Sequence, residues 1–220
     1  TDNEFGLGVQ MRVLPRTWAF LRYHYKIQDF YSHRLNTTSA NDASNKQNRV
    51  NMGLIWDGGG KLGGELNFGW QWVDFDNDVD PSGAPYDNQN TWIAGTSLDY
   101  RATATTLLTL NIARLIRPTG ADKREYYDDT QAGINLTQDL PYKFSAQAGF
   151  VYSRNDYNTL NDQGTEDRKD NNYNANVGVT YQIQRWLNTG IAYRYLRKDS
   201  NSISQSFTDH QVILSVGAAY

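Results

Sequence analysis

Alternation is the feature that most limits what this chain can become. From Ser206 to Tyr220, Val212, Leu214, Val216, Ala218 and Tyr220 share one parity, and Gln211, Ser215, Gly217 and Ala219 share the other, interrupted only by Ile213. A β-strand turns successive side chains to opposite faces. This stretch therefore has a greasy face, a small and polar face, and an aromatic residue at its end. Segments of about ten residues repeat the rhythm upstream, which is the length a tilted strand needs to cross a bilayer.

Phe5, Leu7, Val9, Met11 and Val13 oppose Glu4, Gly6, Gly8, Gln10 and Arg12, and after the turn at Pro15 and Arg16 the residues Ala19, Leu21, Tyr23, Tyr25 and Ile27 oppose Arg22, His24, Lys26 and Gln28. A polar stretch from about Asp29 to Gln47 reads as a long loop. Val50, Met52, Leu54 and Trp56 then face away from Arg49, Asn51, Gly53 and Asp57, and GGGK closes a hairpin onto Leu62, Leu66, Phe68, Trp70 and Trp72, opposite Glu65, Asn67 and Gln71. The loop DFDNDVDPSGAPYDNQN follows, through about Asn90.

Trp92, Ala94, Leu98 and Tyr100 alternate with Gly95, Ser97, Asp99 and Arg101, and RATAT turns the chain toward Leu108, Leu110 and Ile112. Arg114 then falls on the greasy parity, which predicts a bulge near Ala113 or the end of the lipid-facing belt. Beyond the loop RPTGADKREYY come Ala132, Ile134 and Leu136, then TQDLPYK, then Phe144, Ala146, Ala148, Phe150 and Tyr152. The hydrophilic loop NDYNTLNDQGTEDRKDNN precedes Tyr173, Ala175, Val177, Val179 and Tyr181, and IQR turns into Leu187, Ile191, Tyr193 and Tyr195. KDSNSISQS leads to the last strand.

The pattern predicts an all-β fold, an antiparallel up-and-down transmembrane β-barrel with about eleven strands in residues 1–220 as a single domain. Short connections (PRT, GGGK, RATAT, LPYK, IQR) alternate with long polar ones, as the tight periplasmic turns and long external loops of bacterial outer-membrane barrels do. If the last strand ends on the periplasmic side, the first also runs inward. An even-stranded barrel then needs at least one more strand before Thr1, which makes this the C-terminal part of a barrel of 12 or more strands. A soluble β-sandwich is the competing fold. It fits less well, because every segment is long, every hairpin joins adjacent strands and no connection looks like a Greek-key crossover.

A mean hydropathy of -0.70 does not oppose this reading, since a barrel wall is apolar only at every second residue. No run approaches the roughly 20 apolar residues of a membrane helix. The chain holds no cysteine, which removes thiolate catalysis and thiolate metal sites, and its net charge of -3 lacks the clustered cations of a nucleic-acid binder. The 15 Tyr and 6 Trp suit interfacial girdles. TDNEFG has neither the basic start nor the apolar core of a signal peptide, so for an exported form either the leader has been removed or this chain is only part of the precursor.

Candidate chemistry sits mainly on the polar parity. Arg12, Arg22, Lys26, Arg49, Arg101 and Arg194, with Glu65 and Asp99, are expected to line the lumen, where they either set an ionic preference or pair and fill it. Asp74, Asp76, Asp78 and Asp80 stand at every second position and form a weak calcium candidate. Val79 stands where an EF-hand needs Gly, and Pro85 where it needs Glu. His24, His33 and His210 lack ligand spacing, and Asp128 with Asp129 reads as a loop edge. No nucleophile has a neighbouring base, so no enzyme activity and no cofactor are expected.

The segments YYDDTQAGINLTQDLPYKFSAQAGFVYSRNDY and EDRKDNNYNANVGVTYQIQRWLNTGIAYRYLRKDSNS, with the terminal VILSVGAAY, resemble the outer-membrane proteins of the β-barrel porin type, many of them associated with exopolysaccharide gene clusters. The likeness covers about residues 90–220 most closely. It implies a Gram-negative outer membrane, a bilayer as the surrounding partner, and passage or secretion of a polysaccharide. It carries over no catalytic residue. Two functions follow as expectations: a porin-like channel for exopolysaccharide or other solutes, and a scaffold barrel that binds a surface partner or sheathes another protein such as a multihaem cytochrome.

Overall fold

A computed structural model describes residues 2–29, 44–56, 59–77, 88–118, 124–159 and 168–218. Its strands are β1 (Asp2–Leu14), β2 (Thr17–Gln28), β3 (Asn45–Trp56), β4 (Leu62–Phe75), β5 (Gln89–Thr103), β6 (Thr106–Pro118), β7 (Arg124–Leu140), β8 (Phe144–Thr159), β9 (Lys169–Gln184), β10 (Leu187–Ser200) and β11 (Phe207–Ala218). They form one antiparallel sheet in chain order. Neighbours in sequence are thus neighbours in space, and this up-and-down order is the wall of a transmembrane barrel. Among the described residues no helix is long and apolar enough to cross a membrane, which leaves a crossing by strands untouched.

The greasy parity faces outward. Phe5, Leu7, Val9, Met11, Met52, Phe68, Val177 and Val212 are exposed, and Leu214 and Val216 reach 77%. Hiding one such side chain from water is worth about 1.5–3 kcal/mol, so ten of them left in water would offset the whole 5–15 kcal/mol of a typical fold. A bilayer removes that cost. The most enclosed positions are instead polar as often as apolar: Asn45, Gln47, Gln71, Asp129 and Asp170 are buried, alongside Phe20, Val73, Ile93, Ile116 and Tyr126.

Aromatic pairs mark the edges of the outer belt. Tyr152 and Tyr173 lie 5.4 Å apart and Tyr195 and His210 5.2 Å apart near the long connections, while Phe144 and Tyr181 stack at 4.6 Å near the short ones. Tyr173 and Tyr181 are eight residues apart on β9, about 26 Å along the strand at about 3.3 Å per residue. That is the scale of the roughly 25 Å apolar band of this class.

The strands run past this belt. β7, β8 and β9 hold 17, 16 and 16 residues, about 55 Å of strand before tilt. Much of what reads as polar loop in the sequence, such as Arg124–Asp129 and Asn155–Thr159, is therefore strand that runs on past the belt. These positions carry no regular alternation of apolar and polar residues, although Tyr126 and Asp129 among them are buried, and polarity alone does not separate such a strand from a loop. LPYK is a 3-10 turn (Pro141–Lys143) with Tyr142 and Lys143 at φ 60 and 66°.

No bulge interrupts β6 at Ala113. Its ladder with β5 ends at the pair Ala94↔Arg114, while its ladder with β7 continues to Pro118↔Tyr126. Arg114 thus marks the end of the belt, stacked 4.6 Å from the Trp92 ring and bonded to Asp128 at 3.0 Å. Tyr220, His33, Asp78 and Asp80 lie outside the described residues.

Candidate functional site

The inner face of β1–β4 carries a layered polar lattice, because its alternate residues are those that the lipid parity leaves over. Arg22 on β2 reaches across β3 and donates to both carboxylate oxygens of Glu65, at 3.0 and 3.3 Å, with its guanidinium 3.9 Å from the Phe20 ring. Asn51 donates to Asn67 at 3.3 Å, and Asn67 donates to the same Glu65 at 3.1 Å. Glu4 meets His24 at 3.0 Å and Arg49 at 3.6 Å, and Lys26 meets Asp2 at 2.9 Å.

Above this layer, three glutamines connect four strands. Gln47 Nε2 donates to Gln28 Oε1 at 3.2 Å, and Gln71 Nε2 donates to Gln47 Oε1 at 3.2 Å. Gln71 Nε2 also donates to the Ile116 carbonyl, and the Ile116 backbone N–H donates back to Gln71 Oε1, each at 3.2 Å. A side-chain amide has one donor side and one acceptor side, the same pattern that a strand edge offers. Gln71 thereby gives β6 the partner it loses where its ladder with β5 ends. Ile116 and Tyr126 pack with Val73 on the inner side of β4, so the ends of β6 and β7 lean across the wall. They cap a cavity of about 450 Å³ lined by Glu4, Lys26, Gln47, Arg49, Gln71 and Tyr127, among others.

At the rim Arg117 donates to Asp129 at 2.6 Å, and Tyr127 faces Tyr157 at 4.8 Å. Arg168 lies 4.5 Å from the Tyr157 ring and grips the fully buried Asp170, which also takes Lys198 Nζ at 2.8 Å. Burial alone would raise the Asp170 pKa. The hydrogen bonds from Arg168, Lys198 and Ser200 outweigh it and hold the carboxyl below its ordinary value. Asp128 goes the other way: burial lifts its pKa and Arg114 only partly opposes that.

The remaining lumen candidates are spread out. Arg12 donates to the Pro15 carbonyl at the first short turn. Asp99 accepts from Thr109 at 2.7 Å and, with Arg101 and Lys61, lines a separate cavity of about 420 Å³ at the short-turn end. Arg194 is exposed between Asn176 and Gln211. Of the acidic run, Asp76 takes Lys46 at 2.6 Å, and among the described residues no group of His, Cys, Asp and Glu is placed to hold a metal ion. His210 is on the outer face, bonded to the Tyr193 hydroxyl at 2.6 Å. Sequence reasoning passed over Glu4, Gln47 and Gln71 as site residues. The parity of Glu4 and Gln71 is legible there and Gln47 reads as loop, whereas it lies in β3; the convergence of the three is not legible.

The model of the family described as putative beta-barrel porin 2 matches residues 3–220. The chain belongs to that family. It is a bacterial outer-membrane β-barrel protein, and the match extends over the N-terminal strands as well as the C-terminal half. Among solved structures, the copper transporter OprC superposes with a TM-score of 0.56 at 13% identity, over 98% of this chain and 40% of that one. At that identity the likeness is one of fold, and the chain spans well under half of that transporter. Among curated proteins none matches.

Proposed function

We propose that the protein is a porin-like channel whose inner face conducts polar solutes and whose cargo is a carbohydrate polymer of the exopolysaccharide type. The observation that carries the reading is the division between an outer face of exposed apolar side chains and an inner lattice of amides and ions centred on Arg22, Glu65 and Gln71. Amide side chains offer paired donors and acceptors, which suits a hydroxyl-rich solute, and the interspersed charges would set an ionic preference. Copper is the neighbour's cargo, and a 13% likeness supplies no reason to assign it here.

Closure of the wall belongs to the same proposal. β1 and β11 run in the same direction, so an odd number of further strands between them completes an even-stranded antiparallel barrel. Conductance across planar bilayers tests the channel. Replacing Arg22 and Arg49 together by Glu is expected to move selectivity toward cations, read as a shift in reversal potential in a salt gradient. A folded protein that passes no ions would leave only a structural wall.

A further inference from the structure

The ends of β6 and β7 have two places to go. In the structure, Leu115–Pro118 has left β5, and Ile116 is held on the inner side of β4 by Gln71 and Val73. The adjoining stretch of β5, Asn90–Ile93, is paired with β4 on one edge, and among the described residues no strand pairs with the other. Continuing the β5–β6 register by one residue at a time from Ala94↔Arg114 sets Ile93 opposite Leu115, Trp92 opposite Ile116 and Thr91 opposite Arg117.

That continuation fits the sequence. Ile116 would share the outer face with Trp92, on the greasy parity that its position in β6 prescribes, and Arg117 would point into the lumen. In the observed position Ile116 instead turns its outer-parity side chain onto an inner-face residue. The two arrangements exchange one set of backbone hydrogen bonds for a side-chain latch and a small apolar cluster. Elements with two comparable packings are the ones that switch.

We infer that the paired ends of β6 and β7 form a gate, closed when Gln71 latches Ile116 past β5 and open when Leu115–Pro118 zips onto β5. The inference rests on the channel reading and adds the moving part to it. In the closed state the hairpin covers the cavity that contains Lys26 and Arg49; in the open state that cavity joins the lumen.

The absence of cysteine makes the test direct. Two paired variants of the full-length protein are needed: Val73→Cys with Ile116→Cys, which traps the latched hairpin, and Trp92→Cys with Ile116→Cys, which traps the zipped one. Directly opposed residues of antiparallel strands lie within disulfide range. Both pairs are expected to cross-link under oxidant, scored by mass spectrometry, and Thr91→Cys with Arg117→Cys serves as a second zipped pair if the Trp92 variant misfolds. Oxidation should lower the conductance of the latched pair by about tenfold or more, restored by reductant, and should leave the zipped pair conducting at least as well as its reduced form. Gln71→Leu, which removes the two hydrogen bonds to Ile116 that hold the latch, worth about 1 kcal/mol each, should raise the open-to-closed ratio about 30-fold. The gate is overturned if neither zipped pair cross-links, or if trapping the latched pair leaves conductance unchanged. An unsubstituted protein that conducts nothing would defeat the channel reading instead, while cross-linking would still report whether the hairpin moves.

Discussion

Arg22 and Glu65 sit on strands that are not neighbours, and they join across β3 by two parallel hydrogen bonds while the Arg22 guanidinium rests on Phe20. The pair therefore ties three strands through the lumen side of the wall. Both side chains remain about a third exposed, so water screens the pair and its worth to stability is modest. Its charge matters more for passage. Glu65→Gln is expected to shift selectivity toward anions and Arg22→Gln toward cations, with the double variant close to the parent. Reversal potentials in a salt gradient check the sign, and a shift in the same direction for both single variants would contradict a lumen position.

Two rim carboxylates predict opposite responses to pH. Asp170 has a lowered pKa when folded, so its contribution is fully present above the unfolded value near 3.9 and is lost as pH falls through the lower folded value. Asp128 has a raised pKa, so its contribution is present below the unfolded value and is lost as pH rises through the folded one. Hydrogen exchange should show the Lys169–Asn172 backbone loosening in strong acid, and Asp170→Asn should abolish that response. Around Asp128 the same experiment should show protection increasing as pH falls from neutrality, an increase that Asp128→Asn removes.

Close approach at the inner face makes Gly53 a sensitive position. A Cβ there would meet the Phe20 ring at 2.7 Å and the Asn67 backbone at 2.9 Å, and would press on the Leu66 carbonyl. Backbone on one side and a buried ring on the other leave little room for adjustment. Gly53→Val is expected to cost at least about 1–3 kcal/mol, the range for overpacking, and to lower the yield of folded barrel. Unfolding in detergent against urea measures it. Gly8→Ala is the control, because the nearest atom there is the flexible Arg22 side chain at 3.2 Å.

The wall was legible because two solvents write on alternate residues. Lipid contact demands apolar side chains at Val177 and Val179, and the lumen leaves Asn176 and Gly178 free of that demand, so period and strand order could be read directly. Strand length could not be read, since the extension of β7 from Arg124 to Thr130 has no apolar–polar period to betray it. Arg114 did announce the end of the belt. What lay beyond it was hidden: the latch at Ile116 depends on a β4 side chain 45 residues away, and no local rule connects Gln71 to that backbone.

Depth and parity together give the sharpest check on the membrane arrangement. Val177 lies mid-strand on the outer face, opposite Ala148 on one side and Tyr193 on the other, and its neighbour Asn176 faces the lumen between Gly149 and Arg194. An arginine at the bilayer midplane costs roughly 2–4 kcal/mol, whereas a lumen position keeps its charge hydrated. Val177→Arg is therefore expected to destabilise the protein by about that amount in lipid vesicles, measured by reversible unfolding in guanidinium. Asn176→Arg should change stability far less and act mainly on conductance, through repulsion from the nearby Arg194. Equal costs at the two adjacent positions would mean that both faces meet the same solvent, which no membrane-spanning wall with an aqueous interior allows.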